Sequence, residues 1–354
     1  MGDGSRLLRH RHVGPGVPRP PLRRPGGLPL SRVLVTGGTG VVGTAVVSRL
    51  MAQDREVRVL VRSDDGAARV RSWGAEPVPG DVLDPDSLSA AVRGVAVVYH
   101  VAGLNSLCLK DPAALYEVNV SGTRNVVEAA ARSGVARLVL TSSGAAIGER
   151  KNRVASETSE HRGSFLSHYE RSKHLSERLA FDLGARFGLD VVAVNPCSVQ
   201  GPGRSTGTAR ILSAYIEGRL KLFLDTRLSI VDIDDCAEGH LLAERKGVPG
   251  ERYLLCGATL SSREALQLIS RLAGTSHEPR LVPAAAAYAA AAYAEVAARL
   301  RGKDPSVCRA MVKAIAFGHA YDGSRASREL GLVYTPVEET LGRTIEWLRE
   351  QRAA

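Results

Sequence analysis

The stretch "RVLVTGGTGVVGTAVVSRL" (32–50) runs from a β-branched segment, through a cluster of glycines, into a helical pattern. Val33, Leu34 and Val35 suit a short buried strand. Val42, Val46, Val47 and Leu50 recur at intervals of one helical turn. Between them, Gly37, Gly40 and Gly43 are spaced G-x-x-G-x-x-G, while Gly38, Gly40 and Gly43 also satisfy G-x-G-x-x-G. Glycines at these places permit a tight turn, close approach of the backbone to a pyrophosphate, and close packing of helix on strand. The free N–H groups at the helix start supply positive dipole. A glycine cluster is weak evidence by itself, but between a strand and a helix it predicts a dinucleotide cradle. Its contacts are expected from Gly37, Thr39, Gly40, Val41, Val42 and Gly43.

The same alternation continues outward. "EVRVLVR" (56–62) reads as a strand, followed by a helix around 65–73, a short strand near 76–79, a helix at 85–93 and the strand "AVVYHV" (96–101). A helix over 112–133, the strand "RLVLTSS" (137–143), a long helix over 165–187 and the strand "DVVAVNP" (190–196) follow. Six strands separated by helices predict an α/β fold with a Rossmann doubly wound parallel sheet. Beyond 196 the regularity loosens. The expected organisation is a disordered basic tail (1–30), a dinucleotide-binding domain (31–196, to which 229–256 returns) and a smaller, discontinuous C-terminal substrate lobe (197–228 and 257–354).

Composition narrows the function classes. The chain has 354 residues, 44% of them hydrophobic, and a formal net charge of +10. Arg6, Arg9, Arg11, Arg19, Arg23 and Arg24 against Asp3 place +5 of that in the first thirty residues. The remaining excess is diffuse, which suits an anionic small ligand and argues against nucleic acid. The alanine-rich stretch 283–300 carries Glu295 and Arg299 and is too weakly apolar for a membrane span, so a packed helix is expected. Cys108, Cys197, Cys236, Cys256 and Cys308 are scattered and odd in number. Neither a disulfide framework nor a metal site is indicated, and a reducing, cytoplasmic setting fits best.

Two further positions bear on chemistry. Arg62, at the end of the second strand, suits a 2′-phosphate, so NADP(H) is the expected cofactor. Asp64 and Asp65 follow closely and leave NAD(H) as the alternative. In "SHYERSKHL" (167–175), Tyr169 and Lys173 are four apart and share a helix face.

The ordered set "TGGTGVVG", "GDVLDPDSL", "VYHVAG", "VNVSGTRNVVEAA", "VLTSSGAAIG" and "YERSK" resembles the extended short-chain dehydrogenases/reductases. "LSIVDIDDCAEGHLLA" with "GERYLLCGATLS" is most similar to the dihydroflavonol-reductase-like group that also contains hopanoid-associated sugar epimerases. The resemblance covers about 32–350. It implies that Tyr169 is the general acid/base, Lys173 the residue that lowers its pKa and holds the nicotinamide ribose, and Ser143 the donor to the substrate oxygen. Ser142 and Thr141 are the alternatives if the register shifts. Asn119 matches a position that helps a proton-relay water or is a helix-packing amide. Asp81 and Val82 match adenine contacts, His100, Val101 and Ala102 the strand passing the cofactor, and Pro196, Ser198 and Val199 the segment beside the nicotinamide. Cys197 lies there too, as a packing residue.

The substrate is expected to contact Asn105, Gly144, Cys197 and Arg204. The loop "LNSLCL" (104–109) is mostly uncharged. Sugar-nucleotide members of the family often carry Arg-Asp where this chain has Leu228 and Ser229, with Arg227 one place earlier. Both features point to an oxidoreductase that interconverts a ketone and a secondary alcohol on a small, largely neutral molecule. The alternatives are an epimerase or dehydratase of a nucleotide-activated sugar, for which Arg204 and Arg210 would be phosphate contacts, and a non-catalytic dinucleotide-binding protein. A homodimer is possible.

Overall fold

The computed structural model describes residues 32–353 apart from 110, 205–207, 276–278 and 306; the basic tail lies outside the described residues. The main strands are β1 (Val33–Thr36), β2 (Val57–Val61), β3 (Glu76–Pro79), β4 (Val97–His100), β5 (Arg137–Thr141), β6 (Asp190–Pro196), β7 (Ser198–Gln200), β8 (Arg227–Asp232), β9 (Arg252–Leu255) and β10 (Ala258–Ser261), with shorter ones between and after them. Seven of them form one parallel sheet in the order β9-β6-β5-β4-β1-β2-β3. The six strands expected from the sequence are present, and β9, within the segment 229–256 expected to return to this domain, adds a seventh at the edge beside β6.

Period-two alternation explains why both faces are covered. Val33, Val35, Val59, Tyr99, Val139 and Val192 point to one layer, packed on Val46, Val47 and Leu50 of α1 (Val41–Met51) and on a later helix carrying Leu241 and Ala243. Their neighbours Leu34, Leu60, Val98, Leu138 and Leu140 point to the other. There they meet the helices that follow α2 (Asp64–Ser72): α3 (Pro85–Ala91), α4 (113–132) and α5 (His168–Phe187). Each such fully buried aliphatic side chain contributes about 1.5–3 kcal/mol.

Helix α4 is not regular. Ala113–Tyr116 runs into a π turn, Glu117–Ser121, before Gly122–Arg132 resumes the α form. Gly122 sits against Val82, where a Cβ would lie 2.8 Å from a side-chain methyl. The π turn contains Asn119, and such bulges concentrate at functional positions.

After β6 the chain builds a small sheet, β10-β8-β7, in which β8 is antiparallel to β10 and parallel to β7. Helix α6 (Ile233–Lys246) and β9 then return to the main sheet. Residues 31–354 form one compact unit.

Two expectations are corrected. Cys108 and Cys308 form a disulfide with Cα atoms 5.5 Å apart. Spacing rules read local patterns, and a pair separated by 200 residues escapes them. The bond also removes the cysteine-based ground for a reducing, cytoplasmic setting. The alanine-rich segment is indeed a helix, α7 (Ala284–Leu300), and it pairs with α8 (Arg309–Phe317). However, only Ala291 is fully buried, while Tyr293, Val296 and Leu300 face solvent. No helix among the described residues is long and apolar enough to cross a membrane.

Candidate active site

The strand order reverses between β1 and β4, and a crevice is expected there at the strands' carboxyl ends. Gly37 leaves β1 with φ of +69°, a left-handed conformation, and a Cβ on it would lie 2.6 Å from the backbone of Ala102. A Cβ on Gly43 would lie 2.1 Å from the Gly37 carbonyl oxygen. The loop is closed by the Thr44 hydroxyl, which donates to Gly38 O at 3.1 Å. Gly40 caps α1 without a side-chain hydrogen bond, so the helix N–H groups face the crevice uncapped. Only glycines fit here, and the cradle fits a dinucleotide pyrophosphate.

The other expected cofactor residues lie around this cradle. Arg62, with an exposed side chain, stands 3.9 Å from the Asp81 carboxylate, and that carboxylate accepts from Leu83 N at 2.9 Å. The Val82 carbonyl is held by Asn125 at 3.0 Å. Val101 N donates to Thr36 O at 3.1 Å, and Ala102 N donates to the Thr36 hydroxyl at 3.2 Å. Across the crevice, Pro196 ends β6, and Ser198 and Val199 form β7.

Beneath the cradle runs an ordered proton chain. The Thr123 hydroxyl donates to Asn119 O at 2.6 Å and therefore accepts from His100 Nε2, 3.0 Å away. His100 Nδ1 is then the acceptor for the Thr36 hydroxyl at 2.7 Å. Complete burial, helped by the Lys173 charge, holds His100 at a pKa of about 3, so it is a neutral structural residue. This chain ties β1, β4 and α4 together.

Asn119 is wholly engaged. Its Oδ1 accepts from Leu104 N at 2.7 Å, and its Nδ2 donates to Leu104 O at 3.0 Å and to the Ser172 hydroxyl at 2.9 Å. The side chain thus packs the loop after β4 onto α5.

Helix α5 starts at Ser167, whose hydroxyl accepts from Glu170 N at 3.1 Å, and so fixes Tyr169 and Lys173 one turn apart. Burial raises the pKa of Tyr169, against which the Ser143 hydroxyl and the Arg204 charge act downward. Lys173, which the sequence reading expects to draw the phenol down, instead donates to Thr141 O at 2.8 Å and lies beside Gly103 and Asn119. Its own burial lowers it to about 8. Ser143 accepts from Ala145 N at 3.2 Å, and its carbonyl is held by Asn195 at 3.0 Å. Ser142 is buried, with no hydrogen-bond partner for its hydroxyl among the described residues. Thr141 is bonded to His240, 2.7 Å away. The structure therefore brings Ser143, Tyr169 and Lys173 together at the end of β5, beside the cradle.

A family model, the NAD dependent epimerase/dehydratase family, matches residues 33–256. The chain belongs to this family. It is 33% identical over 323 residues to a Synechocystis sp. protein named "Putative dihydroflavonol 4-reductase", covering 89% of this chain and 94% of that one. It is 32% identical over 325 residues to "Sterol demethylase protein B" of Methylococcus capsulatus, covering 90% and 98%. The crystal structure of gox2253 superimposes with a TM-score of 0.80 at 32% identity, covering 91% of this chain and 98% of that one. The chain is an NAD(P)-dependent oxidoreductase of the extended short-chain type.

Within the family frame, the expected substrate contacts are dispersed. Gly144 faces the Tyr321 ring, 2.9 Å from where a Cβ would lie. Asn105 is exposed on its loop. Burial pushes the Cys197 thiol well up, which disfavours the thiolate that nucleophilic attack needs. Arg204 is half-buried, and its Nε has no hydrogen-bond partner among the described residues. Three supporting residues were missed in the sequence: Asn195, which also donates to Glu177 at 2.6 Å; His240, which donates to Cys236 O at 2.6 Å; and Tyr321. Asn195 immediately precedes Pro196, and that adjacency was the one available signal.

Proposed function

We propose that this oxidoreductase reduces a ketone to a secondary alcohol, with Tyr169 as proton donor and NADP(H) as its cofactor. When bound, the nicotinamide supplies or accepts a hydride. Ser143 would donate a hydrogen bond to the substrate oxygen, orienting the carbonyl, and Tyr169 would transfer its proton to the same oxygen as negative charge develops. Burial keeps the phenol protonated, which is the form reduction needs. Lys173 would hold the nicotinamide ribose, Asn119 the helix geometry, and Gly37, Thr39, Gly40, Val41, Val42 and Gly43 the pyrophosphate. Arg62 would meet a 2′-phosphate, freed from Asp81 at 3.9 Å. The observation that carries the reading is the convergence of Ser143, Tyr169 and Lys173 beside the glycine cradle.

A nucleotide-sugar epimerase is less well supported. Leu228 and Ser229 stand where sugar-nucleotide members of the family often carry Arg-Asp, and the Ser229 hydroxyl is 2.8 Å from the Thr259 hydroxyl and donates to His319 O at 3.0 Å. The deciding experiment is to denature the purified protein and identify released dinucleotide by mass and molar ratio. A reductase exchanges its cofactor every turnover, so an empty site that binds NADPH more tightly than NADH is expected. Near-stoichiometric NAD would overturn both the reductase and the NADP assignments.

A further inference from the structure

Arg204 is a cation with a buried Nε that has no hydrogen-bond partner and no counter-ion among the described residues. It follows β7 through Gly201, Pro202 and Gly203 and forms no ion pair among the described residues. The groups that feel its charge are Tyr169 and Cys236. Both are neutral at pH 7, because burial pushes phenol and thiol upward. The carboxylates at the start of α6 are already spent. Asp232 accepts from Arg343 at 2.8 and 2.9 Å, Asp234 pairs with the same guanidinium at 2.9 Å, and Asp235 accepts from Thr335 N and its hydroxyl at 2.7 and 2.8 Å. By sequence, the three residues after Arg204, Ser-Thr-Gly, carry no carboxylate.

Burying a guanidinium without an anion is costly, and an unpaired N–H adds to the cost. Such an arrangement pays off when a ligand brings the missing charge. A guanidinium presents a planar fork of donors that matches a carboxylate.

We propose that Arg204 binds a carboxylate of the substrate, so that the ketone reduced at Tyr169 belongs to an oxo acid with an apolar body. The proposal rests on the ketone-reductase reading and refines the expectation of a largely neutral substrate. The mostly uncharged loop 104–109, tied through Leu104 to Asn119, accommodates the body, and the single anionic group fixes which carbonyl faces Ser143 and Tyr169. In the reaction, the carbonyl π bond breaks, a C–H bond forms with hydride from the reduced cofactor, and an O–H bond forms with the Tyr169 proton. The cofactor is oxidised, solvent returns a proton to the phenol, and the carboxylate is unchanged.

The test uses the full-length enzyme with NADPH and a panel of 2-, 3- and 4-oxo acids of equal chain length, each paired with its methyl ester. For the best acid, kcat/KM is expected to exceed that of its ester by at least about 30-fold, the scale on which losing one partner of a buried charge pair is felt. Arg204→Gln should bring the acid-to-ester ratio near one, and Arg204→Lys should keep part of it. Inhibition of wild-type enzyme by a saturated alkanoate, and not by the matching alcohol, is a measurement that needs no variant. Equal rates for acid and ester in the wild type would overturn the proposal, as would Arg204→Gln lowering both equally. So would a rise in the Kd for NADPH in that variant, since it would make Arg204 a cofactor contact. If the alkanoate binds through Arg204 and no ketone is reduced, the carboxylate site stands and the reductase reading falls.

Discussion

The ammonium of Lys173 donates to the main-chain carbonyl of Thr141 at 2.8 Å, joining the active-site helix to the end of the strand that leads to Ser143. The cation is held where burial penalises it, at a pKa of about 8 against an ordinary 10.5. Such a shift corresponds to about 3 kcal/mol of destabilisation at pH 7. The penalty is full below pH 8 and is relieved as pH rises toward 10.5, where the folded state has released a proton that the unfolded chain still binds. Lys173→Met should therefore abolish turnover and yet raise Tm at pH 7, with the gap closing toward pH 10. Calorimetry at the two pH values checks this; an equal or lower Tm at pH 7 would show that the bond to Thr141 outweighs the buried charge.

Tyr169→Phe should reduce ketone-reduction kcat by about 10²–10⁴-fold, the usual worth of a positioned proton donor, with the fold and NADPH binding retained. Because burial raises the phenol, the basic limb of the wild-type pH–rate profile is expected to come from Lys173, near pH 8, and not from Tyr169. Repeating the profile with slow and fast ketones locates the limb, and a midpoint above 10 would reassign it to the phenol.

The glycine loop, the strand order around it and the Tyr169–Lys173 pair were legible in the sequence because each is a local pattern with one dominant physical cause. The π turn at Asn119 was not. Its helix is continuous by periodicity, and the bulge arises where Gly122 closes on Val82, a contact made across 40 residues. Nor was the direction of the Tyr169 shift legible. Spacing puts Lys173 on the same face as Tyr169, but not its ammonium on Thr141 O, and burial is a property of the packed whole.

Arg62→Ala should raise the KM for NADPH about tenfold or more, as loss of a charge-assisted hydrogen bond does, and leave the KM for NADH within twofold. Steady-state kinetics with both cofactors measures the ratio. Equal effects on the two would return Arg62 to the solvent and to its neighbour Asp81.

His100 and His240 are buried neutral, at about 3 and 4, and become liabilities in acid. Their folded values lie below the unfolded 6.5, so the stability they leave intact above pH 6.5 is lost as pH falls toward the folded values. By pH 4 the loss is about 3 kcal/mol for each. His240→Gln can still accept from Thr141 and donate to the Cys236 carbonyl, and it should flatten the slope of urea-derived stability between pH 6.5 and 4. An unchanged slope would place the acid sensitivity in His100 alone.

The Cys108–Cys308 bond joins the loop that follows β4 to the start of α8. It closes most of the chain into one ring, and such long loops lose the most unfolded-state entropy, with typical measured gains of 2–4 kcal/mol. Reductant, or the Cys108→Ser/Cys308→Ser pair, should lower Tm by several degrees, since about 1 kcal/mol moves Tm by a few degrees in a chain of this size. Mass spectrometry of non-reduced peptides must find residues 108 and 308 linked. Two free thiols together with a Tm indifferent to reductant would show that the bond does not form. In that event the loop carrying Asn105 is held to the C-terminal part of the chain by packing alone, and its neighbour Leu104 would rest on the Asn119 hydrogen bonds.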